Sequence, residues 1–367
     1  ILVYSKFAEL QQIQEEQMFL AIREIKKEKL RYGLILTVVV LISYLIFILS
    51  ALALGLATAN TAAVDSWQSK SFVMTKDANG NAGQSLLTTK QVDQLSDDKT
   101  ATLGITPVNM KIGGKRESAQ FVGMNNDEYI AKNLQLTKGH LPKAANEVVL
   151  ADSVDKDIYG MGDKISIGLS DTKYKIVGYA KNATYNTAPV IYGALAQWRV
   201  IKGVSDQFQG SVVTSKTSQS VDDKALKTYS YQAFINKLPG YTPQKATFGL
   251  MIGFLIVISL IVITIFLYIL TVQKLPNLAV LRAQGIPNRF LAQNTLFETF
   301  FIMATGIVVG AVLSALTEFG IPDSVPMAFD WGLMGLIAAG LMVTGLLGAI
   351  IPIRVISKID PVSVIGG

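Results

Sequence analysis

The 367-residue chain contains no cysteine and a single histidine, His140. Disulfides and cysteine-based metal sites are therefore excluded, and any part that folds outside a membrane must stand on its own packed core. Charge is also scarce. Asp, Glu, Lys and Arg make up 16% of the residues, half of all residues are hydrophobic, and mean hydropathy is +0.39. Soluble domains carry about 25% charged residues, and here the apolar residues come in long blocks, so an ordinary soluble protein is excluded. No Gly-x-x-x-x-Gly-Lys-Ser/Thr loop for nucleotide phosphates occurs. The fragment Gly113-Gly114-Lys115-Arg116 lacks the first glycine and the hydroxyl residue. No nucleophile–base constellation stands out, so no catalytic and no metal-ligating residues are assigned and the chain is read as a non-enzyme.

Four apolar blocks are present, at 33–59, 247–272, 290–316 and 331–356. Each exceeds the roughly 20 residues needed to cross a bilayer, and a lipid-exposed segment of that length must be helical to satisfy its backbone. The formal charge of +6 could suggest nucleic acid. The basic residues cluster beside the spans, however, which is the positive-inside pattern and speaks against a nucleic-acid partner. Arg23, Lys26, Lys27, Lys29 and Arg31 precede the first block; Lys274, Arg282 and Arg289 lie at 273–289; Arg354 and Lys358 lie at the tail. The loop 317–330 has only Glu318, Asp323 and Asp330 as charges. Both termini are thus expected in the cytoplasm of a multi-pass plasma-membrane protein. Residues 18–32 alternate charged and apolar residues at helical spacing, an amphipathic helix on the inner leaflet. Residues 1–17 read as an upstream extension or expression remnant, and 357–367 as a cytoplasmic tail.

Residues 60–246 change character. Turn pairs such as Asn79-Gly80 and Gly113-Gly114 punctuate short alternating runs, among them VNMKI, EVVLA, KISIGL and YKIVGYA. These predict a compact α+β extracytoplasmic domain between the first and second spans.

The joint at 273–289 carries the most specific pattern. Pro276 and Pro287 bracket LAVLRAQGI, a short amphipathic helix closed by Gly285, and the next helix carries Glu298, Gly306 and Gly310. Leu281, Arg282, Ala283 and Gly285, then Glu298, the glycines and the closing IRVISKIDPVSVI resemble the FtsX-like and MacB-like permeases of ABC transporters. The stretch from Leu136 to Asn182 is similar to that family's periplasmic core, through Gly139, Pro142, Asn146, Glu147, Gly162, Asp163 and Gly178; His140 departs from the arginine expected after the first of these glycines.

The resemblance implies a permease subunit that works as two copies, each docked on a separate ABC ATPase that binds ATP and Mg. Leu278, Leu281, Arg282 and Gly285 are then the coupling residues; otherwise they form an ordinary interfacial turn. Glu298 reads as a packing and hydrogen-bonding position near the inner face, or as a proton or substrate site. Gly306 and Gly310 read as helix packing within one chain, and His140 as a solvated turn residue. Chain length and four spans are similar to the heme-exporting branch of the family in Gram-positive bacteria, which implies heme as the transported ligand and no intrinsic cofactor. Heme needs an apolar slot and an axial ligand. Met74, Tyr185, Tyr241, Phe248 and Met251 are the candidates, against the plainer reading of tyrosines as core or interface residues. Export of antimicrobial peptides or antibiotics, and mechanical signalling to a cell-wall hydrolase, are the alternatives.

Overall fold

The computed structural model describes residues 28–168, 172–322 and 325–358. The stretch 1–17, most of the expected amphipathic helix 18–32, and nearly all of the tail 357–367 lie outside the described residues. In chain order the elements are α1 (Lys29–Trp67), β1 (Ser71–Thr75), β2 (Leu87–Thr88), α2 (Thr89–Leu95), β3 (Thr100–Ile112), β4 (Lys115–Met124), α3 (Tyr129–Asn133), β5 (Leu136–Gly139) and β6 (Glu147–Ala151). There follow β7 (Lys164–Ile167), β8 (Lys173–Ala180), β9 (Thr184–Tyr185), β10 (Ala188–Ala194), α4 (Leu195–Lys202), β11 (Phe208–Gly210), β12 (Val212–Ser215), β13 (Leu226–Ser230) and α5 (Tyr231–Ile235). The last helices are α6 (Tyr241–Ala283), α7 (Asn288–Glu318), α8 (Trp331–Gly348) and α9 (Ile350–Ser357). The chain divides into two compact units: a sheet unit, Leu56–Ala246, and a helical unit made of the described residues before and after it.

In the helical unit, α1, α6, α7 and the α8–α9 pair are long and apolar enough to cross a membrane. Their shared core includes Ile35, Val39, Phe47, Ile263, Leu267, Met303 and Leu341. Small residues set the closest approach. A Cβ on Gly306 would meet Val39 Cγ1 at 2.5 Å, and one on Gly310 would meet Ser43 Cβ at 2.8 Å, so the glycine pair packs α7 on α1 within the chain. The last span is not one helix. It breaks at Ala349, because Pro352 has no N–H for the Gly348 carbonyl one turn earlier and its ring crowds that carbonyl.

The sheet unit is built on a mixed sheet in the order β13-β1-β12-β3-β4-β10-β6-β8-β5, with β7 pairing β3 and β8, and β9 pairing β10; β11 and β2 form a separate small pair. Gly113 and Gly114 both take positive φ, +52° and +84°, and close β3 onto β4 in a two-residue hairpin with Ile112 opposite Lys115. Side chains of the sheet, with Trp198 of α4, fill a core that includes Phe72, Phe121 and Tyr192. With no cysteine to form a disulfide, this buried apolar surface holds the unit together.

Candidate functional site

Helix α6 does not stop at Pro276, as the bracketing prolines had suggested; it runs through that proline to Ala283. The lost backbone bond and ring clash cost about 3 kcal/mol in a helix interior. Packing offsets this, because the last turns of α6 build a small core of their own. Ala279 is fully buried with Leu291 of α7 and Ile356 of α9, and Leu275, Leu278, Leu281, Ile286 and Phe290 close around them. The helix then ends on Gly285, at φ +90°. Gly285 N–H donates to Arg282 O at 3.0 Å and Ile286 N–H donates to Leu281 O at 3.2 Å, the paired bonds of a left-handed glycine cap. Arg282 Nη1 adds a bond to Ile286 O at 3.2 Å. Of the four residues singled out at this joint, Leu278 and Leu281 therefore face inward, and Arg282 and Gly285 shape the turn. The exposed side of the same turns is Asn277, Val280, Ala283 and Gln284.

Directly before this joint lies a buried polar cluster. Lys274 Nζ donates to Glu298 Oε2 at 3.0 Å and to Tyr32 Oη at 2.6 Å. Tyr32 Oη donates to the same carboxylate oxygen at 2.9 Å, and Asn294 Nδ2 donates to Oε1 at 2.8 Å. Glu298 is 6% exposed. A charge in such a place is tolerated only when paired and hydrogen-bonded, and here three helices supply the partners. A cavity of about 90 Å³ adjoins the cluster, lined by Lys274, Asn294 and Glu298 and by the apolar side chains of the joint. Sequence reasoning found Glu298 and its role as a hydrogen-bonding position, but missed Lys274 and Tyr32 as its partners. The lysine looked like one more interfacial cation; only the i, i+4 spacing of Asn294 and Glu298 gave a local signal.

The five residues considered for heme fall into two groups. In the sheet unit, Met74 (0% exposed), Tyr185 and Tyr241 belong to the buried core. Tyr185 stacks on Trp67 with ring centroids 6.1 Å apart, and burial pushes its phenol well above the usual tyrosine range, so it is held neutral there. In the helical unit, Phe248 is half-buried and Met251 is 42% exposed, both on α6. His140 is exposed, with Nδ1 2.7 Å from Leu141 O. Among the described residues no group of three or more His, Asp or Glu could hold a metal ion.

The chain matches two family descriptions: a MacB-like periplasmic core domain over residues 33–228 and an FtsX-like permease C-terminal domain over residues 249–361. Among curated proteins it is similar to one named hemin transport system permease protein HrtB in Staphylococcus epidermidis, 26% identical over 356 residues, 95% of this chain and 99% of that one. It is also similar to the HrtB of Staphylococcus haemolyticus, 22% identical over 355 residues with the same shares. Among solved structures, the extracellular domain of the noncanonic ABC-type transporter YknZ aligns with a TM-score of 0.33 and 12% identity, covering 44% of this chain and 98% of that one. A permease domain from Porphyromonas gingivalis aligns at 0.27 and 8%, covering 44% and 86%. With the core-domain match alone spanning more than half of the chain, and the permease match spanning the joint and its ion pair, the chain belongs to the FtsX-like, MacB-like family of ABC transporter permeases.

Proposed function

We propose that this permease exports heme, taking it from the outer half of the membrane and driven by a separate ABC ATPase. The carrying observation is the joint at the end of α6. It is stiffened on one side by the Lys274–Glu298 pair and on the other by its own apolar core, while one side of the turn stays open. A rigid elbow of this kind would pass the movement of a docked ATPase into α6, α7 and, through Tyr32, α1. Asn277, Val280, Ala283 and Gln284 would meet the ATPase, with Leu278, Leu281, Arg282 and Gly285 holding their backbone in place. The termini and the joint would lie in the cytoplasm.

Two copies would act together, each with its own ATPase. Helix α6 is the least buried of the four spans. Its exposed Met251, Phe254, Ile258, Ile261, Ile265 and Tyr268 recur at alternate spacings of three and four, the pattern of a helix-pairing seam. Such a seam between copies, entered sideways from the lipid, offers a flat macrocycle an apolar slot in which Met251 supplies a thioether and Phe248 a ring face. Heme as the cargo is favoured over peptides by the hemin-transport names of the similar staphylococcal proteins. Met74, Tyr185 and Tyr241 would serve as packing unless the sheet-unit core opened.

A hemin titration of the purified permease in nanodiscs, followed at the Soret band, tests this. A saturable band is expected, shifted or weakened by Met251→Ala or Phe248→Ala and unchanged by Tyr185→Phe. A featureless, non-saturating response overturns heme as the cargo. A saturable band untouched by either α6 substitution overturns the slot.

A further inference from the structure

The outward face of the mixed sheet sets like charges directly against each other twice. Lys111 on β3 stands opposite Arg116 on β4, and Lys164 on β7 stands opposite Lys175 on β8. Ser166 lies opposite both Lys111 and Lys173. The registers therefore align Arg116, Lys111, Ser166 and Lys173 in one row across four strands, with Lys164 and Lys175 beside it. Opposed residues, and residues two apart on a strand, share a face, so all five cations are on this one. Four of them are exposed and Lys111 is half-buried, while the alternate residues Met110, Ile165, Ile167, Tyr174 and Ile176 fill the core.

Like charges in directly opposed positions destabilise a sheet, and a face needed only for solubility would mix both signs. The bordering carboxylates offset this one only in part: Glu147 attracts Lys175 but forms no ion pair with it among the described residues. Glu147, opposite Lys175 on β6, accepts from the backbone N–H of Lys143 at 2.8 Å and of Ala144 at 3.3 Å, and those bonds hold its carboxyl below the usual range. Asp163 Oδ2 accepts from Gly160 N–H at 3.0 Å. Among the described residues none of the five cations forms an ion pair; Lys173 alone has a side-chain bond, to Ser166 Oγ at 2.7 Å.

From this we infer that the face is a docking surface for a phosphate-rich linear polymer outside the membrane. Neighbouring strands put the charges about 4.8 Å apart and alternate residues about 7 Å apart, a lattice on which successive phosphates can lie along the row. A guanidinium fork, ammonium groups and a hydroxyl are the set that phosphate oxygens accept from. A lipid surface fits less well, because the exposed large hydrophobics described in the sheet unit, Met161 and Val200, lie on none of these strands.

The test is fluorescence anisotropy of labelled inorganic polyphosphate against the purified full-length permease over a series of salt concentrations. Binding is expected to weaken with salt at a log–log slope of roughly −3 to −4, from about −0.7 per neutralised charge. The double variant Lys111→Glu, Lys173→Glu should bind at least about tenfold more weakly, with a slope shallower by about 1.4. Lys90→Glu with Lys224→Glu, the same charge change on exposed residues elsewhere, should shift binding less than about twofold. Misfolding is separated by the thermal midpoint. Lys111→Glu faces Arg116 with an opposite charge, so its midpoint should equal or exceed that of the unaltered protein. Equal losses in the two double variants, or none in the first, overturn the assignment. Phosphatidylglycerol vesicles that bind through these residues while polyphosphate does not overturn the polymer in favour of headgroups. Binding of an acidic protein alone overturns it likewise.

Discussion

Lys274 Nζ lies 3.0 Å from Glu298 Oε2, with the two side chains 12% and 8% exposed, and the pair joins the last turns of α6 to α7. The intervening chain, 275–297, contains the joint from Leu275 to Arg289, so the ion pair clasps it. Removing one partner leaves the other as an uncompensated buried charge, which costs about 3–5 kcal/mol, whereas replacing both with apolar groups of like size is often nearly neutral. Lys274→Met and Glu298→Leu are each expected to lower the thermal midpoint in detergent sharply. The double variant should recover much of that loss, less whatever Tyr32 and Asn294 forfeit as their shared acceptor disappears. A double variant as unstable as the sum of the singles would show that the two side chains do not act as a pair.

Coupling and folding should separate at Gly285. Nothing lies within 4 Å of a Cβ built there, so a substitution meets no clash and costs only the left-handed backbone, about 1 kcal/mol. Gly285→Leu, and Arg282→Glu with its lost bond to Ile286 O, should leave the helical content of the permease unchanged by circular dichroism. Both should release ATP hydrolysis from transport in the complex with its ATPase. Gly285→Asn, which tolerates the same backbone, should behave like the unaltered protein. Normal coupling in Gly285→Leu would place the ATPase contact elsewhere.

The four spans and the strand-rich insertion were legible because long uncharged runs and period-two alternation are local signals. The strand EVVLA, predicted from alternation alone, is β6 at the same residues. Element ends were less legible. Pro276 reads locally as a breaker, yet α6 passes through it because Leu291 and Ile356, distant in sequence, pack on the turns beyond. Pro352 does break its span, at Ala349, although Gly348, Ala349 and Pro352 are all buried, so burial at the turn does not by itself carry a helix through a proline. At the joint, the residue types were found but not their direction. Leu278 and Leu281 stood out as apolar, and only tertiary packing decides whether such residues face a partner or their own core. Two of the three partners of Glu298, Tyr32 and Lys274, come from α1 and α6, a separation no periodicity reports.

At the α1–α7 crossing, Gly306→Ala should fail for a steric reason. Its Cβ would lie 2.5 Å from Val39 Cγ1 and 2.9 Å from Val39 Cβ, an overpacking that typically costs about 1–3 kcal/mol. Trimming the neighbour should return most of it, so Gly306→Ala with Val39→Ala is expected to melt closer to the unaltered protein than Gly306→Ala alone. If Val39→Ala adds to the damage instead, the crossing is not the seat of the strain.

The sheet unit should carry a pH dependence through Glu128. Burial pushes its carboxyl above the ordinary value of 4.5, against the opposing bonds from Asn125 and from Thr102 N–H. Those bonds are 3.0 Å each, from Asn125 Nδ2 to Oε1 and from Thr102 N–H to Oε2. A carboxyl whose folded pKa is raised binds its proton more tightly in the folded than in the unfolded state. Its contribution is therefore fully present below the unfolded value and is lost as pH rises through the folded one. Glu128→Gln keeps the shape and the acceptor for Thr102 but does not ionise, so it removes this loss. The midpoint of Glu128→Gln minus that of the unaltered protein should rise from pH 4 toward neutrality, about where the carboxyl titrates. Groups of opposite sense such as Glu147, whose carboxyl is held low by backbone N–H bonds, are common to both proteins and cancel in the difference. A difference that falls over the same range would mean that the Asn125 and Thr102 bonds outweigh burial and hold the carboxyl low.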